Sequence, residues 1–277
     1  MHYALTLPTR QILVINGGNY DFYGPVFYPL LLTPRFEGKQ FTGYVKERMA
    51  EALEPRLYHN VALLLPDASI LLSGGNTARA TVHRSLIPWP NPNQSVQPKP
   101  DSSKVELDVY FYDDGPMAKG QKGMLTTPTE DWVAERYFPP YMFIDGRRQA
   151  EIAGLTPLGS MKHEFVKNIG EKRYYLLHSD QEVEMAVREL PNRCTGTESL
   201  ALIKLPSVTH GWDVGQRFIE VPITRSGSGM KKTVRFRTPN AAKANMPPGY
   251  YMLFYVDCDG KPSKAQMVRV DDHATRL

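Results

Sequence analysis

The sequence predicts an all-β protein, with a partial β-propeller followed by a β-sandwich. Its apolar segments are short, rich in β-branched and aromatic residues, and bounded by Gly, Pro, Asn and Asp, which is typical of strands. Helical periodicity is weak, and the 23 prolines among 277 residues disfavour helices because proline removes a backbone donor. The best helix candidate, Tyr44 to Leu53, is short and leads directly into Pro55.

The composition is that of a soluble globular protein, with 42% apolar and 22% charged residues. The net charge of +4 comes from scattered basic residues rather than a stripe, so we expect no nucleic-acid partner. The longest apolar runs, such as Val61 to Pro66, are too short to cross a bilayer, so we expect no membrane span. The first residues show no secretory signal. The chain is therefore expected to be either cytoplasmic or a mature or truncated piece.

Two segments of the first third resemble each other. Residues 4–18 read ALTLPTRQILVINGG and residues 62–75 read ALLLPDASILLSGG, an offset of 58 positions. Each segment predicts a hairpin, with a strand, a proline-initiated turn, a second strand and a glycine pair. The offset is close to the period of about 50 residues of kelch-type propeller blades. Chance similarity between two apolar hairpins is the alternative. Because propellers close with about four to eight blades, two repeats predict an incomplete ring.

The middle of the chain differs in composition. Residues 88–103 read PWPNPNQSVQPKPDSS, a proline-rich run typical of a linker, and ELDVYFYDD follows as a candidate strand. We therefore interpret about 77–131 as an insertion. The predicted boundaries are 1–148 for the last two propeller blades with this insertion, and 149–277 for the sandwich.

Strand-like segments recur at short intervals in the last part of the chain. This spacing is typical of an immunoglobulin-like sandwich, and Pro247-Pro248-Gly249-Tyr250-Tyr251 is a candidate tyrosine corner. The predicted strands are Tyr174 to Leu177, Glu182 to Val187, Ser199 to Lys204, Arg217 to Pro222, Thr233 to Arg237, Tyr250 to Val256 and Ala265 to Val270.

A tyrosine and a histidine, Tyr58 and His59, stand side by side where the strand of the second hairpin begins. Such residues are often structural, since tyrosines commonly cap β cores with the hydroxyl at the surface. They are also suitable ligands for one metal ion. Neighbours on a regular strand point to opposite faces, so they can share a metal only if the backbone is irregular there.

Four motifs in order along the chain resemble the copper radical oxidases, the galactose oxidase and glyoxal oxidase family. They cover most of the chain, and 77–135 is matched least. The motifs are Arg56-Leu57-Tyr58-His59 with LLLPD, FPPYMF at 138–143, LPSVTHGWDVGQRF at 205–218 and MPPGYYMLFYVDCDGKPSKAQMVRV at 246–270.

The resemblance implies a closed propeller of about seven blades followed by an early set domain of the immunoglobulin type. It also implies copper as the cofactor, with Tyr58, His59 and His210 as metal ligands. His210 is carried on a long hairpin of the sandwich domain, and Tyr58 is in addition the catalytic base. Imidazole nitrogen and phenol oxygen suit Cu(II). Trp212, close to His210, is expected to pack the hairpin tip.

The departures from the family concern the radical cofactor. The family's fourth ligand is a tyrosine cross-linked to a cysteine in earlier blades, and neither Cys194 nor Cys258 matches that position. These two cysteines could form one disulfide or remain thiols. Asn60 and Ala68 replace a usual serine and a usual turn glycine. The partners implied are therefore the missing N-terminal blades or a complementing chain, a small alcohol or aldehyde, and O2.

The sequence thus predicts a fragment or split chain of a copper radical oxidase. With the missing blades supplied, it is expected to oxidise a primary alcohol or aldehyde and to reduce O2 to H2O2. The family resemblance also implies an extracellular location. The alternative is a non-catalytic propeller and sandwich protein that binds a partner and retains relic metal ligands.

Overall fold

A computed structural model describes the chain in segments. These are residues 2–18, 26–54, 56–76, 133–159, 165–170, 172–188, 197–205, 207–209, 212–226, 233–241 and 243–271. Described elements are almost all strands, as predicted, and the one helix among them is a 3₁₀ segment at Pro140–Gly146. The candidate strand at 106–114 and the proline-rich run lie outside the described residues.

The first two sheets lie in the N-terminal half of the chain. One is a four-stranded antiparallel sheet of sequential strands, and the other has three strands. The first sheet contains β1 (Tyr3–Thr6), β2 (Ile12–Ile15), β3 (Leu30–Glu37) and β4 (Gln40–Arg48). The second contains β5 (Tyr58–Leu64), β6 (Ile70–Asn76) and β7 (Glu135–Tyr137). A four-stranded meander is the usual form of a propeller blade. The domain boundaries and the kelch assignment stay predictions.

The weak helix candidate, Tyr44 to Leu53, is not helical, which agrees with the all-β prediction. Tyr44 to Arg48 belong to β4, which pairs with β3 at the edge of the first sheet. Most side chains of β4 are exposed, so the strand lacks the alternation of apolar and polar residues that marks a half-buried strand.

The two predicted hairpins are a structural repeat. Arg10 and Ala68 both have positive φ, 67° and 66°, at equivalent turn positions. The turns close with the same bond, from Leu7 N to Gln11 O and from Leu65 N to Ser69 O, each 2.8 Å. The glycine pair of the second copy, Gly74 and Gly75, also has positive φ, as do Asn16 and Gly17 of the first.

The two hairpins bury opposite faces. In β1 the buried residues are Tyr3 and Leu5, whereas in β5 they are Asn60, Ala62 and Leu64, which are shifted by one position relative to the repeat. Both faces contribute to one core cluster. Units that present one face to the opposite face of the next form a head-to-tail array, which can continue in either direction.

The C-terminal strands form two facing sheets. One has six strands in the order β15-β12-β18-β19-β10-β9, and the other has four in the order β16-β17-β11-β8. The strands are β8 (Glu151–Pro157), β9 (Val166–Ile169), β10 (Lys172–His178), β11 (Glu182–Arg188), β12 (Ser199–Lys204), β15 (Phe218–Val221), β16 (Ile223–Ser226), β17 (Thr233–Arg237), β18 (Gly249–Val256) and β19 (Gln266–Asp271). Residues from both sheets share one buried apolar cluster, so this part is a sandwich. Strands are present at all seven predicted places.

Two further features fix the sandwich. The hydroxyl of Tyr251, which is buried, donates to the carbonyl of Pro247 at 2.7 Å, which confirms the tyrosine corner. The six-stranded sheet also packs on the N-terminal sheets, since Ile203 and Phe254 join their core cluster. The remaining strands, β13 (Val208–Thr209) and β14 (Trp212–Asp213), form a small hairpin.

Candidate metal centre

The strand that carries the Tyr-His pair is irregular at that pair. Along β5 and β6, Tyr58 pairs with Asn76 and Asn60 pairs with Gly74, and the ladder is irregular between these two pairs, at His59 and Gly75. His59 also has a φ of 58°, in the left-handed region that non-glycine residues rarely occupy. The irregularity that a shared metal requires is therefore present.

This irregular backbone places the two side chains next to each other. The rings of Tyr58 and His59 are stacked, with centroids 4.1 Å apart and an interplanar angle of 24°. On a regular strand they would point to opposite faces. His59 is exposed and Tyr58 is half-buried, so a phenol and an imidazole lie side by side with access to solvent.

The glycine pair explains how β6 accommodates the irregular backbone of β5. A Cβ on Gly74 would lie 2.9 Å from the carbonyl oxygen of His59, and one on Gly75 would lie 2.7 Å from Cα of Arg56. Both glycines also have positive φ, 67° and 103°. Gly74 and Gly75 are therefore needed because the ligand strand approaches them closely.

A buried polar network supports the core side of β5. Asn60 is buried, and its side chain accepts from Nδ2 of Asn16 at 3.1 Å and donates to the carbonyl of Leu57. Asn16 belongs to the first hairpin, so this amide pair connects the two sheets directly behind the Tyr-His pair. The side-chain amide of Asn60 thus reaches two segments, Asn16 just after β2 and Leu57 just before β5.

Two charged residues that sequence analysis missed as site residues form an ion pair next to the start of β5. Arg56 is fully buried as a side chain, and its Nη2 lies 3.0 Å from Oε2 of Glu135. Arg56 was visible as part of the Arg-Leu-Tyr-His motif. Glu135 follows the proline-rich insertion and carries no local sequence signal.

The hairpin β13–β14 lies against the strands of the candidate site. It packs on β5 and on β1. At its base, Gln216 accepts from the amide of Thr6 and donates to the carbonyl of Ala4 at 3.1 Å, which holds the hairpin on the edge of the first sheet. The strand that carries Tyr58 and the hairpin that carries position 210 are therefore neighbours.

His210 itself lies outside the described residues. Its flanking residues Thr209 and Trp212 form a cross-strand pair, which defines the hairpin on either side of it. Trp212 is 63% exposed, and residues 210 and 211 of the hairpin tip lie outside the described residues. That Trp212 packs the hairpin tip therefore stays a prediction.

The junction between hairpin and first sheet is poorly hydrated. Burial raises the pKa of Tyr3 above its usual range, and the nearby charge of Asp213 adds to the effect. Burial likewise raises the pKa of Asp213, against the amides of Gly215 and Gln216 and the charge of Lys204. The hydroxyl of Tyr3 is buried and finds no hydrogen-bond partner among the described residues. A low dielectric strengthens electrostatic interactions near this junction.

The residues of the pair fit a copper ion by chemistry. Imidazole nitrogen and phenol oxygen are ligands that Cu(II) takes in tetragonal sites, and the stacked arrangement offers both on one side of the strand. Among the residues that the structure describes, no group of three or more His, Cys, Asp or Glu is arranged to hold a metal. Cys258 is disulfide-bonded, so its sulfur is not a thiolate ligand. The chain has one other cysteine, Cys194, which lies outside the described residues.

Within the described segments, no helix has the length and apolar character needed to cross a lipid bilayer.

Comparison with known proteins finds one matching domain family and relatives that align along nearly the whole chain. Residues 167–270 match the family described as galactose oxidase-like, early set domain. The "Aldehyde oxidase GLOX" of Vitis pseudoreticulata is 28% identical over 95% of the chain and 40% of its own length. The "Aldehyde oxidase GLOX1" of Arabidopsis thaliana is 24% identical over 96% of the chain and 35% of its own length. The chain thus spans less than half the length of these relatives.

A solved structure shares the fold. It is described as a novel fungal alcohol oxidase with catalytic diversity among the AA5 family, in complex with copper. The match has a TM-score of 0.56 and 20% identity, and it covers 97% of this chain and 42% of the other. The matched early set domain and the relatives aligned along nearly the whole chain show that the chain is similar to the C-terminal part of the copper radical oxidases, the galactose oxidase and glyoxal oxidase family.

Proposed function

We propose that this chain is the part of a copper radical oxidase that binds Cu(II) through Tyr58, His59 and His210. The observation that carries this proposal is the stacked Tyr58–His59 pair on a strand whose irregular backbone turns both rings to one side. A tyrosine and a histidine with a purely structural role need no such irregular backbone. Backbone strain of this kind is concentrated at functional sites.

The third ligand is proposed from the position of the hairpin. Position 210 follows Thr209 directly, and the hairpin that contains Thr209 packs on β5, the strand of Tyr58. Two imidazoles and a phenol leave room on a tetragonal copper for a further protein ligand and for substrate.

The reaction proposed for the complete protein converts a primary alcohol to an aldehyde, or a hydrated aldehyde to an acid, while O2 becomes H2O2. Two electrons and two protons leave the substrate and both are taken up by O2, so the reaction balances without another co-reactant. Bound copper supplies a one-electron acceptor and a coordination position for the substrate oxygen. Tyr58, as the phenolate, accepts the proton of the substrate hydroxyl as general base.

The proposed partner of this chain is further propeller structure, supplied either by an upstream segment or by a complementing chain. Apolar side chains on the outer face of the second sheet support this, since Val61, Leu63 and Leu71 are only half-buried. The head-to-tail packing of the two described hairpins supports this proposal, because a further blade packed in the same way would cover such a face. That structure would also carry the cross-linked tyrosine that the family uses as its radical.

An extracellular location is proposed with the oxidase function. The disulfide at Cys258 supports it, because disulfides persist in oxidising compartments. Peroxide production outside the cell also spares intracellular thiols.

The first test is copper binding to the 277-residue chain, measured by titration and electron paramagnetic resonance. We expect one Cu(II) per chain with nitrogen hyperfine structure. We expect His59→Ala to lose the bound copper. Tyr137→Phe is the matched control for Tyr58→Phe, because Tyr137 lies on β7 of the same sheet and its hydroxyl donates to the carbonyl of Ala50. The proposal is contradicted if Tyr58→Phe and Tyr137→Phe change the copper spectrum equally.

The second test is peroxide production by the assembly that includes the remaining blades. We expect copper-dependent H2O2 from primary alcohols or aldehydes, and a loss of at least about 100-fold in Tyr58→Phe, as for removal of a general base. If the assembly binds copper tightly yet makes no peroxide, the alternative of a non-catalytic binding protein is correct.

A further inference from the structure

We propose that Arg56 and Glu135 are positioning residues that hold the Tyr58–His59 pair in its stacked arrangement. This inference rests on the proposed copper function but concerns residues that do not touch the metal. Arg56 precedes the pair by two positions, and its side chain is fully buried. A buried guanidinium requires partners for all its donors, so its position is determined by several groups at once.

The guanidinium of Arg56 joins three segments near the start of β5. Its Nη1 donates to the carbonyl of Gly74 at 2.9 Å, on the strand opposite His59. Its Nη2 donates to the carbonyl of Val133 at 2.8 Å, in the segment that leads into β7. Its Nε and Nη2 donate to Oε2 of Glu135 at 3.1 and 3.0 Å. One planar group therefore sets the separation of the ends of β5 and β6 and of the start of β7.

Glu135 fixes the chain that enters the ligand strand. Its Oε1 accepts from the amide of Leu53 at 2.7 Å, and its Oε2 accepts more weakly from the amide of Glu54 at 3.4 Å. The carboxylate thus holds the backbone just before Arg56, while the guanidinium holds the backbone opposite. The ion pair is nearly dry, with Glu135 exposed by 10%.

The backbone of Arg56 makes the fourth connection. Its carbonyl accepts from the amide of Gly17 at 2.6 Å, which ties the start of β5 to the first hairpin. Gly75 lies so close to Arg56 that a Cβ there would meet its Cα at 2.7 Å. The backbone from Arg56 to His59 is thereby restrained by its contacts with Gly17, Gly74 and Glu135. If the guanidinium is displaced, Gly74 and His59 are free to move.

Arginine is required here for its shape as well as its charge. A lysine at position 56 would keep the positive charge beside Glu135, but its single ammonium cannot donate in the fixed directions of Gly74, Val133 and Glu135 together. Arg56→Lys therefore separates the positioning role from charge balance. Glu135→Asp is the second variant, because it keeps the ion pair and withdraws the carboxylate from the amides of Leu53 and Glu54.

The matched control is Arg136→Lys. Arg136 neighbours Glu135 in the sequence, but its side chain is 49% exposed and forms its ion pair with Asp67 at the far end of β5 and β6. It also donates to the hydroxyl of Ser69 at 2.8 Å. This substitution changes another arginine to lysine, on the strand that carries Glu135, and leaves the Tyr58–His59 pair untouched.

A copper-free measurement tests the inference independently of the oxidase proposal. The ring current of Tyr58 shifts the imidazole protons of His59 in the nuclear magnetic resonance spectrum, because the rings stack at 4.1 Å. Tyr58→Leu gives the unstacked reference. We expect the His59 shifts of Arg56→Lys and Glu135→Asp to move most of the way to that reference, and those of Arg136→Lys to stay at the wild-type values.

The second readout is copper affinity, where residues that orient ligands typically contribute a factor of about 10 to 100. We expect the dissociation constant of Cu(II) to rise about tenfold in Arg56→Lys and to stay constant in Arg136→Lys. If Arg56→Lys and Glu135→Asp both fold and both show the wild-type His59 shifts, the positioning role is overturned. A wild-type chain that binds no copper would instead overturn the proposed function, while the ring shifts still decide on Arg56 and Glu135.

Discussion

The carbonyl oxygen of His59 lies 2.9 Å from the point where a Cβ on Gly74 would stand. Gly74 pairs in the register with Asn60, the residue that follows His59, and it is a position without a side chain. Its φ of 67° adds a second reason for glycine. The conformation of the ligand strand and the identity of position 74 are therefore coupled.

Gly74→Ala is predicted to disturb both stability and the site. The methyl group must displace the His59 carbonyl in addition to adopting a left-handed conformation, so we expect a loss of about 2–4 kcal/mol in unfolding free energy. The control is Gly38→Ala, at a φ of 60° with nothing within 4 Å of the added atom. That variant carries the conformational cost alone, about 1 kcal/mol. Equal losses in chemical denaturation would show that the close approach is absent.

The left-handed backbone of His59 gives a second prediction. Glycine has no steric penalty at a φ of 58°, whereas alanine does. His59→Gly and His59→Ala both remove the imidazole and its stacking on Tyr58, so their difference isolates the backbone. We expect His59→Gly to be the more stable by about 1 kcal/mol in urea denaturation, with neither variant retaining copper. A more stable alanine variant would exclude the left-handed conformation.

The tyrosine corner predicts a local cost in the sandwich. Tyr251→Phe removes the hydroxyl that donates to Pro247 at 2.7 Å, and we expect it to cost about 1 kcal/mol in unfolding free energy. Tyr250→Phe is the control, because that ring lies on the next residue and is 39% exposed. Thermal denaturation distinguishes them, and an equal effect of both substitutions would remove the corner's special role.

The same tyrosine predicts a pH dependence. Burial raises the pKa of Tyr251 to about 12, against a smaller opposing effect of Arg217. A pKa raised on folding stabilises the protein fully below the unfolded pKa of about 10, and this contribution is lost as the pH rises toward 12. The wild type should therefore lose about 1 kcal/mol more than Tyr251→Phe between pH 9 and pH 11. Parallel stability curves of the two proteins across this range would contradict the shift.

Much of the fold follows from short-range patterns. The strands of the sandwich and the repeated hairpins were predictable because alternating apolar residues and proline or glycine turns are local signals. β4 was not, because an edge strand exposed on most of its length, with a bulge between Arg35 and Phe36, carries no clear alternation. The register of such a strand is set by its partner.

The site was predictable in its ligands but not in its support. Tyr58 and His59 stood out as adjacent polar aromatics in a family motif, yet nothing in the sequence gives the positive φ of His59. Glu135 lies 79 positions beyond Arg56, and the contact forms only when β7 joins β6 after the insertion. Long-range ion pairs of this kind depend on the tertiary fold rather than on spacing.

The central claim is that Tyr58, His59 and His210 meet at one copper ion. Crystals of the chain soaked with Cu(II) and measured on either side of the copper absorption edge test it most directly. The account predicts a single strong anomalous peak within coordination distance of all three side chains. A peak elsewhere, or an imidazole of His210 that faces solvent away from Tyr58 and His59, would contradict it.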